Sequence, residues 1–148
     1  MKNKIRKPKN KIQINVYRII DVNVNRAMEG LRITEEVARF ILESKSLTSK
    51  IKSLRNKTKK AINGFSKKDL LQARSSLLDV GKNLYTKEEK SRNSLISIFK
   101  SNIKRAEEAF RVLEEFSKLI DPIIGKQFKD IRFEIYDVEK SIEEKLGG

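Results

Sequence analysis

This sequence predicts an all-α fold of about five helices, an internally duplicated helical-hairpin bundle with pseudo-two-fold symmetry. Three observations carry that prediction. The 148 residues are 38% hydrophobic and 36% charged, rich in strong helix formers, with only two prolines and six glycines to interrupt them. Apolar residues recur at helical spacing along most of the chain. One charged segment also occurs twice: NRAMEGLRITEEVARF (Asn25–Phe40) and KRAEEAFRVLEEFSKL (Lys104–Leu119) align at an offset of 79, placing Arg26 on Arg105, Glu29 on Glu108, Arg32 on Arg111 and Glu35-Glu36 on Glu114-Glu115.

Residues 1–12 hold six cations and Pro8 but no apolar cluster, and read as a flexible basic arm ahead of a single bundle domain, 13–148. Repeat 1 is expected at about 16–63, a bridge at 64–85 and repeat 2 at about 86–146. The first helix runs from about Val16 to Leu42 on Ile20, Val24, Ala27, Leu31, Thr34, Ala38 and Ile41, joined by Ile33, Val37 and Phe40; Asp21 could cap a start five residues later. A second helix, about Leu47 to Asn63, has Ile51, Leu54, Thr58, Ala61 and Ile62 on one face and stops at Asn63-Gly64. Ser66 and Asp69 resemble a capping box for a third helix, DLLQARSSLLDV, ending at Gly81. Thr86 with Glu89 forms a cleaner capping box for a fourth helix that runs to Leu119, where Asp121-Pro122 stops it. The fifth spans Ile123 to Leu146, on Phe128, Ile131, Ile135, Val138 and Ile142. The repeat extends into the second helix of each hairpin: IKSLR (Ile51–Arg55) lies on FKDIR (Phe128–Arg132) at an offset of 77, so the second copy is two residues shorter in its connection.

With no cysteine and no histidine, disulfides, thiolate–zinc sites, Cys or Ser–His nucleophiles and histidine acid–base catalysis are excluded. Chemistry is left to Asp, Glu, Lys, Arg, Asn, Ser, Thr and Tyr, with or without a hard metal ion. No apolar run approaches the roughly 20 residues of a membrane span, and a soluble, cytoplasmic protein is expected. The net charge of +14 is local: six cations lie in residues 1–12 and nine between Lys45 and Lys68, and without these fifteen, 19 basic residues face 20 acidic ones. No aromatics interleave the lysines, so a solvated surface accounts for them better than a nucleic-acid site.

On a helical wheel Glu29, Arg32, Glu35, Glu36 and Arg39 share one polar arc, where i,i+3 and i,i+4 pairs form a solvated ladder of small worth. Arg26 falls instead on the apolar arc with Gly30, Ile33 and Val37, one turn after Asn23, and Arg105 repeats this with Ala109, Val112 and Phe116 after Asn102. A guanidinium facing a core requires a partner. Two readings stand side by side: a buried Arg–Glu network joining the hairpins, or paired Arg and Asn side chains lining a pocket for phosphate oxygens.

Four strings, RIIDVNVNRAMEGLRITEEVARF (Arg18–Phe40), LLQARSSLLDVG (Leu70–Gly81), NIKRAEEAFRVLEEFSK (Asn102–Lys118) and FKDIRFEIYDVEK (Phe128–Lys140), resemble in that order the alternative hydroxymethylpyrimidine-phosphate kinase domain of bacterial thiamine biosynthesis. That helical domain is commonly fused ahead of thiamine-phosphate synthase. The family tends to have Arg-Asp where this chain has Arg74-Ser75, while Asp79-Val80-Gly81 is intact.

The resemblance implies transfer of the γ-phosphoryl group of ATP, with Mg²⁺, to the monophosphate of 4-amino-5-hydroxymethyl-2-methylpyrimidine. The acceptor is a phosphate oxygen already ionised at neutral pH, so a chain without histidine is not handicapped. There is no GxxxxGK[ST] or GxGxxG, so arginines and helix N-termini would have to hold a nucleotide. On this basis Arg26 and Arg105 are expected to contact phosphate and, with Asp79, to serve catalysis. Asn23 and Asn102 would orient the substrate, Asp79 and Glu108 would bind the metal, Arg74 would bind an anion, and Arg32 and Arg111 would support it. Expected partners are the pyrimidine phosphate and a thiamine-phosphate synthase domain; a homo-oligomer is compatible with the sequence. The alternative is a non-catalytic helical module that binds the pyrimidine phosphate or docks on the synthase.

Overall fold

The structure, a computed structural model, describes residues 10–75, 79–82 and 94–147. Among these residues the fold is all-α, with five helices and no strand: α1 (Lys11–Glu36), α2 (Lys45–Ile62), α3 (Lys67–Ala73), α4 (Leu95–Ser117) and α5 (Pro122–Lys145). A π-helical turn, Val37–Ile41, prolongs α1.

Each helix starts on a side-chain cap. Asn10 accepts from the Gln13 N–H (2.9 Å) while the Gln13 side chain accepts from the Asn10 N–H (3.2 Å). This capping box starts α1 five residues earlier than apolar periodicity suggests, because residues 11–15 are helical but exposed. Ser44 caps α2, Ser66 caps α3 and Ser94 caps α4, each hydroxyl accepting from the N–H three residues on. Asp121 accepts from the Ile123 N–H at 2.9 Å with Pro122 at the first helical position, so α5 begins where expected.

Two helix extents depart from expectation. Helix α3 ends at Ala73 rather than Val80, and Arg74 is already extended (φ −67°, ψ 127°). Contacts with α1 take over there: Arg74 pairs with Asp21, and the Ser75 carbonyl accepts from Arg18 at 3.3 Å instead of from a helical N–H. The fourth helix is not continuous from Thr86, since Ser94 is extended (φ −129°, ψ 153°) and caps a start at Leu95. The Thr86–Glu89 capping box lies outside the described residues, as do residues 1–9 of the basic arm.

Helices α1 and α4 form the principal packing pair, and α2 packs on α5 beside them. They run antiparallel: Glu29 and Gly30 meet the Asn102–Ala106 turn, whereas Asn23 faces Ala109 and Val112. The two hairpins are thereby related by a pseudo-two-fold axis through this crossing. Gly30 is required there. A Cβ at that position would stand 2.6 Å from the Asn102 carbonyl oxygen and 3.0 Å from Ala106 Cβ. The core on either side holds Ile20, Leu31, Ile51 and Leu54 from the first hairpin and Phe99, Phe110, Leu113, Phe128 and Ile135 from the second. Phe110 and Phe128 stack at a centroid distance of 6.1 Å, where the first hairpin has Leu31 and Ile51 at the matching positions.

Candidate functional site

The α1–α4 seam opens on one flank into a groove. One part, of about 650 Å³, is lined by Arg18, Asp21, Asn23, Arg26 and Glu29 of α1, Arg74, Ser75 and Asp79 of the bridge, and Arg105 of α4. A second part, of about 470 Å³, shares Asn23, Arg26, Asp79 and Arg105 and adds Gly81, Lys82, Glu108, Ala109 and Val112. The volumes suit a small ligand. The lining carries cations on three sides.

Arg26 and Arg105 meet in this groove, but neither faces the core, contrary to the expectation from the wheel. Both are exposed. The helical face that is buried in α1 runs through Ile20, Asn23, Ala27, Gly30, Leu31 and Thr34, and Arg26 lies one residue, about 100° of arc, from Ala27 at its centre. The wheel misplaced this face for two reasons. Ile33 is only half-buried, while the polar residues Asp21, Asn23, Thr34 and Glu35 are buried. Neither Arg26 nor Arg105 therefore belongs to a buried Arg–Glu network. Arg105 has Glu29 at 3.8 Å, a pair between side chains 43% and 65% exposed, and among the described residues no carboxylate pairs with Arg26. An ion pair that exposed is worth about 0–1 kcal/mol, so an incoming anion displaces it at small cost.

The buried Arg–Glu network exists, built from different residues. Glu35 and Glu114, read from sequence as part of a solvated ladder, are 1% and 3% exposed. Glu35 accepts from Arg55 of α2 at 3.0 Å, and Glu114 from Arg132 of α5 at 2.9 Å. Burial makes each carboxylate depend on its cation. The sequence signal was the coincidence of both repeats, since Arg55 and Arg132 are the matched arginines of IKSLR and FKDIR.

Of the other expected site residues, Asn23 is buried and lines the groove. Its amide NH₂ donates one hydrogen to the Ile19 carbonyl at 2.8 Å, which leaves the second N–H and the amide oxygen for a ligand. Asn102 copies that bond to Ile98, also at 2.8 Å, but does not line the groove. Arg32 and Arg111 are not brought there either: they lie on their own helices against Glu35 and Glu36, and against Glu114 and Glu115, at 3.3–3.5 Å. Asp79 and Glu108 share the smaller part of the groove, with Asp79 Oδ1 accepting from the Gly81 N–H at 2.8 Å. Among the described residues no group of three or more acids could hold a metal. Two carboxylates nevertheless suit Mg²⁺, which keeps several waters and takes other ligands from phosphates.

Arg74 reaches the groove and is engaged there by a residue the sequence did not mark as functional. Asp21, 6% exposed, accepts from Arg74 Nε at 2.8 Å and Nη2 at 2.7 Å. This fork geometry raises the Arg74 pKa above its ordinary value, chiefly through the hydrogen bond and then through the charge of Asp21. An acid inside RIID, on the helix face that Ile20 buries, was the available signal, though nothing in the sequence pointed to Arg74 as its partner. A further buried acid, Glu107, lies outside the groove between α4 and α5. Burial, with Glu139 nearby, pushes its pKa up to about 7, against the opposing pull of Lys104 at 3.3 Å.

Comparison with known proteins places the chain in a family. The ThiD2 family profile matches residues 18–141. The chain belongs to the ThiD2 family. It is 41% identical over 134 residues to a thiamine-phosphate synthase of Nostoc punctiforme, covering 90% of this chain and 37% of that protein. It is 40% identical over 127 residues to one from Synechocystis, 86% and 36% of the respective chains, and 38% identical over 133 residues to one from Rhodopirellula baltica, 90% and 36%. The chain thus spans little more than a third of the length of these curated relatives. No solved structure matches. Family and relatives together support a domain of thiamine biosynthesis. Among the described residues no helix is long and apolar enough to cross a membrane.

Proposed function

We propose that this ThiD2 domain transfers the γ-phosphoryl group of ATP to the monophosphate of 4-amino-5-hydroxymethyl-2-methylpyrimidine, giving the diphosphate and ADP. The observation that carries the reading is the meeting of Arg26 and Arg105, one from each repeat, in a single groove with Asn23, Arg74 and Asp79. The attacking atom is an ionised phosphate oxygen, so the groove has to align donor and acceptor and neutralise charge, and needs no general base. Arg26 and Arg105 bind the phosphates from the two helices, and the Asn23 amide oxygen can accept from the aminopyrimidine. Asp79 and Glu108 are the residues to hold Mg²⁺, which when bound shields the phosphate oxygens from one another.

The chain, incubated with ATP, Mg²⁺ and the monophosphate, should release ADP and the pyrimidine diphosphate in equal amounts. Folded Arg26→Ala and Arg105→Ala proteins should each lose at least about 100-fold in kcat/KM, on the scale of removing one charge-stabilising donor. Full activity in either would remove that arginine from the site. A second reading, a module that binds the pyrimidine phosphate without transfer, is favoured by the lack of a nucleotide-binding glycine motif. Binding of the monophosphate with no ADP release would establish it instead.

A further inference from the structure

The duplication supplies Arg26 and Arg105 in matched positions, yet among the described residues the groove they line is closed by contacts from the first repeat. Asp21 and Arg18, one turn apart on α1, hold two consecutive bridge residues: Asp21 takes the Arg74 guanidinium by two bonds, and Arg18 donates to the Ser75 carbonyl. The positions matching them in the second repeat are Lys100, which has no acceptor for a guanidinium, and Ser97, which lacks the long guanidinium side chain of Arg18. Arg74 would otherwise be free to leave the wall, since it stands past the end of α3 on extended backbone with its side chain half exposed. Asp21 takes the Nε hydrogen and one Nη2 hydrogen, which leaves the opposite edge of the guanidinium, with Nη1 at its outer end, to donate to a ligand.

We infer that Asp21 is a positioning residue: it holds Arg74 on the groove wall so that Nη1 can donate to a phosphate oxygen of the bound ligand. The inference rests on the phosphate-binding reading of the groove. It opposes the simple electrostatic expectation that a carboxylate beside an arginine weakens anion binding, and that opposition makes it testable.

Inorganic pyrophosphate serves as the probe, titrated calorimetrically into the intact chain and into folded Arg26→Ala, Arg74→Gln, Asp21→Asn and Asp21→Asn/Arg74→Gln proteins. Asp21→Asn and Arg74→Gln should each weaken binding about tenfold, the scale of one hydrogen bond to a charged group. The double variant should bind no worse than Arg74→Gln alone, because Asp21 acts only through that arginine. Tighter or unchanged binding in Asp21→Asn overturns the inference, as does an equal loss from Asp21→Asn in both backgrounds. Should Asp21→Asn not fold, Asp21→Glu keeps the charge but moves the guanidinium by about one methylene: weakened binding supports the positioning role and unchanged binding overturns it. Arg26→Ala separates the two levels. If pyrophosphate does not bind the wild-type chain, or binds indifferently to Arg26→Ala, the phosphate reading of the groove falls and the inference with it.

Discussion

The two repeats build the same ionic device to within about 0.1 Å and then finish it differently. Arg55 to Glu35 is 3.0 Å and Arg132 to Glu114 is 2.9 Å; Arg32 and Arg111 approach the same carboxylates at 3.3 and 3.4 Å. In the second repeat both oxygens of Glu114 have a cation within 4 Å. Lys118, one turn after Glu114, approaches its other oxygen at 3.8 Å, and Arg132 donates a further bond to the Tyr136 hydroxyl at 2.9 Å. In the first repeat Glu35 Oε1 and Arg55 Nε are buried without a partner. The reason is the π-helical turn at Val37–Ile41. Residues Glu35 and Arg55 are 20 apart in sequence, against 18 for Glu114 and Arg132, and a π turn absorbs extra residues by underwinding the helix. Arg39, the match of Lys118, is rotated off Glu35 and lies over the Phe40 ring instead. Duplication conserved the charged skeleton, and helix register decided how completely it was satisfied.

The largest test of that contrast is to remove the cation from each device. Arg132→Ala strands a buried Glu114 and should cost about 3 kcal/mol in urea unfolding, whereas Arg55→Ala, in a device already missing partners, should cost about 1–2 kcal/mol. Equal losses, or a larger one for Arg55→Ala, would contradict the view that the Glu114 device is the more completely satisfied one.

At the crossing itself the repeats differ by one methyl group. Gly30→Ala drives a Cβ toward a backbone oxygen that cannot swing aside, and should cost about 2 kcal/mol. The matched change in the other repeat, Ala109→Gly, should cost about 1–2 kcal/mol, through helix propensity and the loss of a buried methyl. Thermal midpoints that fall equally for the two would mean that the crossing relaxes around an added methyl.

The smallest effect concerns Glu107, whose match in the first repeat is Met28. Its pKa is raised from 4.5 to about 7 in the folded chain, so the folded state binds this proton more readily than the unfolded one. Stability from this group is complete below about pH 4.5 and declines as pH rises toward 7. Glu107→Gln should flatten that decline, gaining on the wild type between pH 5 and pH 7.5 in denaturant midpoint. Parallel pH profiles for the two proteins would show that Glu107 titrates normally.

Much of the candidate site could be read in the sequence as identities, and little of it as orientations. Arg26, Arg105, Asn23, Asp79, Arg74 and Glu108 do line one groove. The conspicuous EGLRITEE ladder has the pattern of solvent-facing salt pairs, yet it contains the buried Glu35. The inward reading of Arg26 fails because periodicity weighs apolar residues alone, while α1 buries Asp21, Asn23, Thr34 and Glu35 and the π turn after it leaves Phe40 and Ile41 exposed.

By itself the sequence determined that the chain is a duplicated all-α bundle: helical periodicity, capping residues and the two offsets of the repeat are local properties, written within a few residues of where they act. Its composition also determined which chemistry was open, since no histidine or cysteine is present to do otherwise. The tertiary structure alone decided which carboxylates are buried, where α3 gives way to Arg74, and which flank of the α1–α4 seam becomes a groove. Those outcomes depend on pairs such as Asp21 with Arg74, 53 residues apart, and Glu35 with Arg55, 20 apart. Burying one member of such a pair is favourable only once the other has arrived, so neither member records in its own neighbourhood of sequence which way it will face.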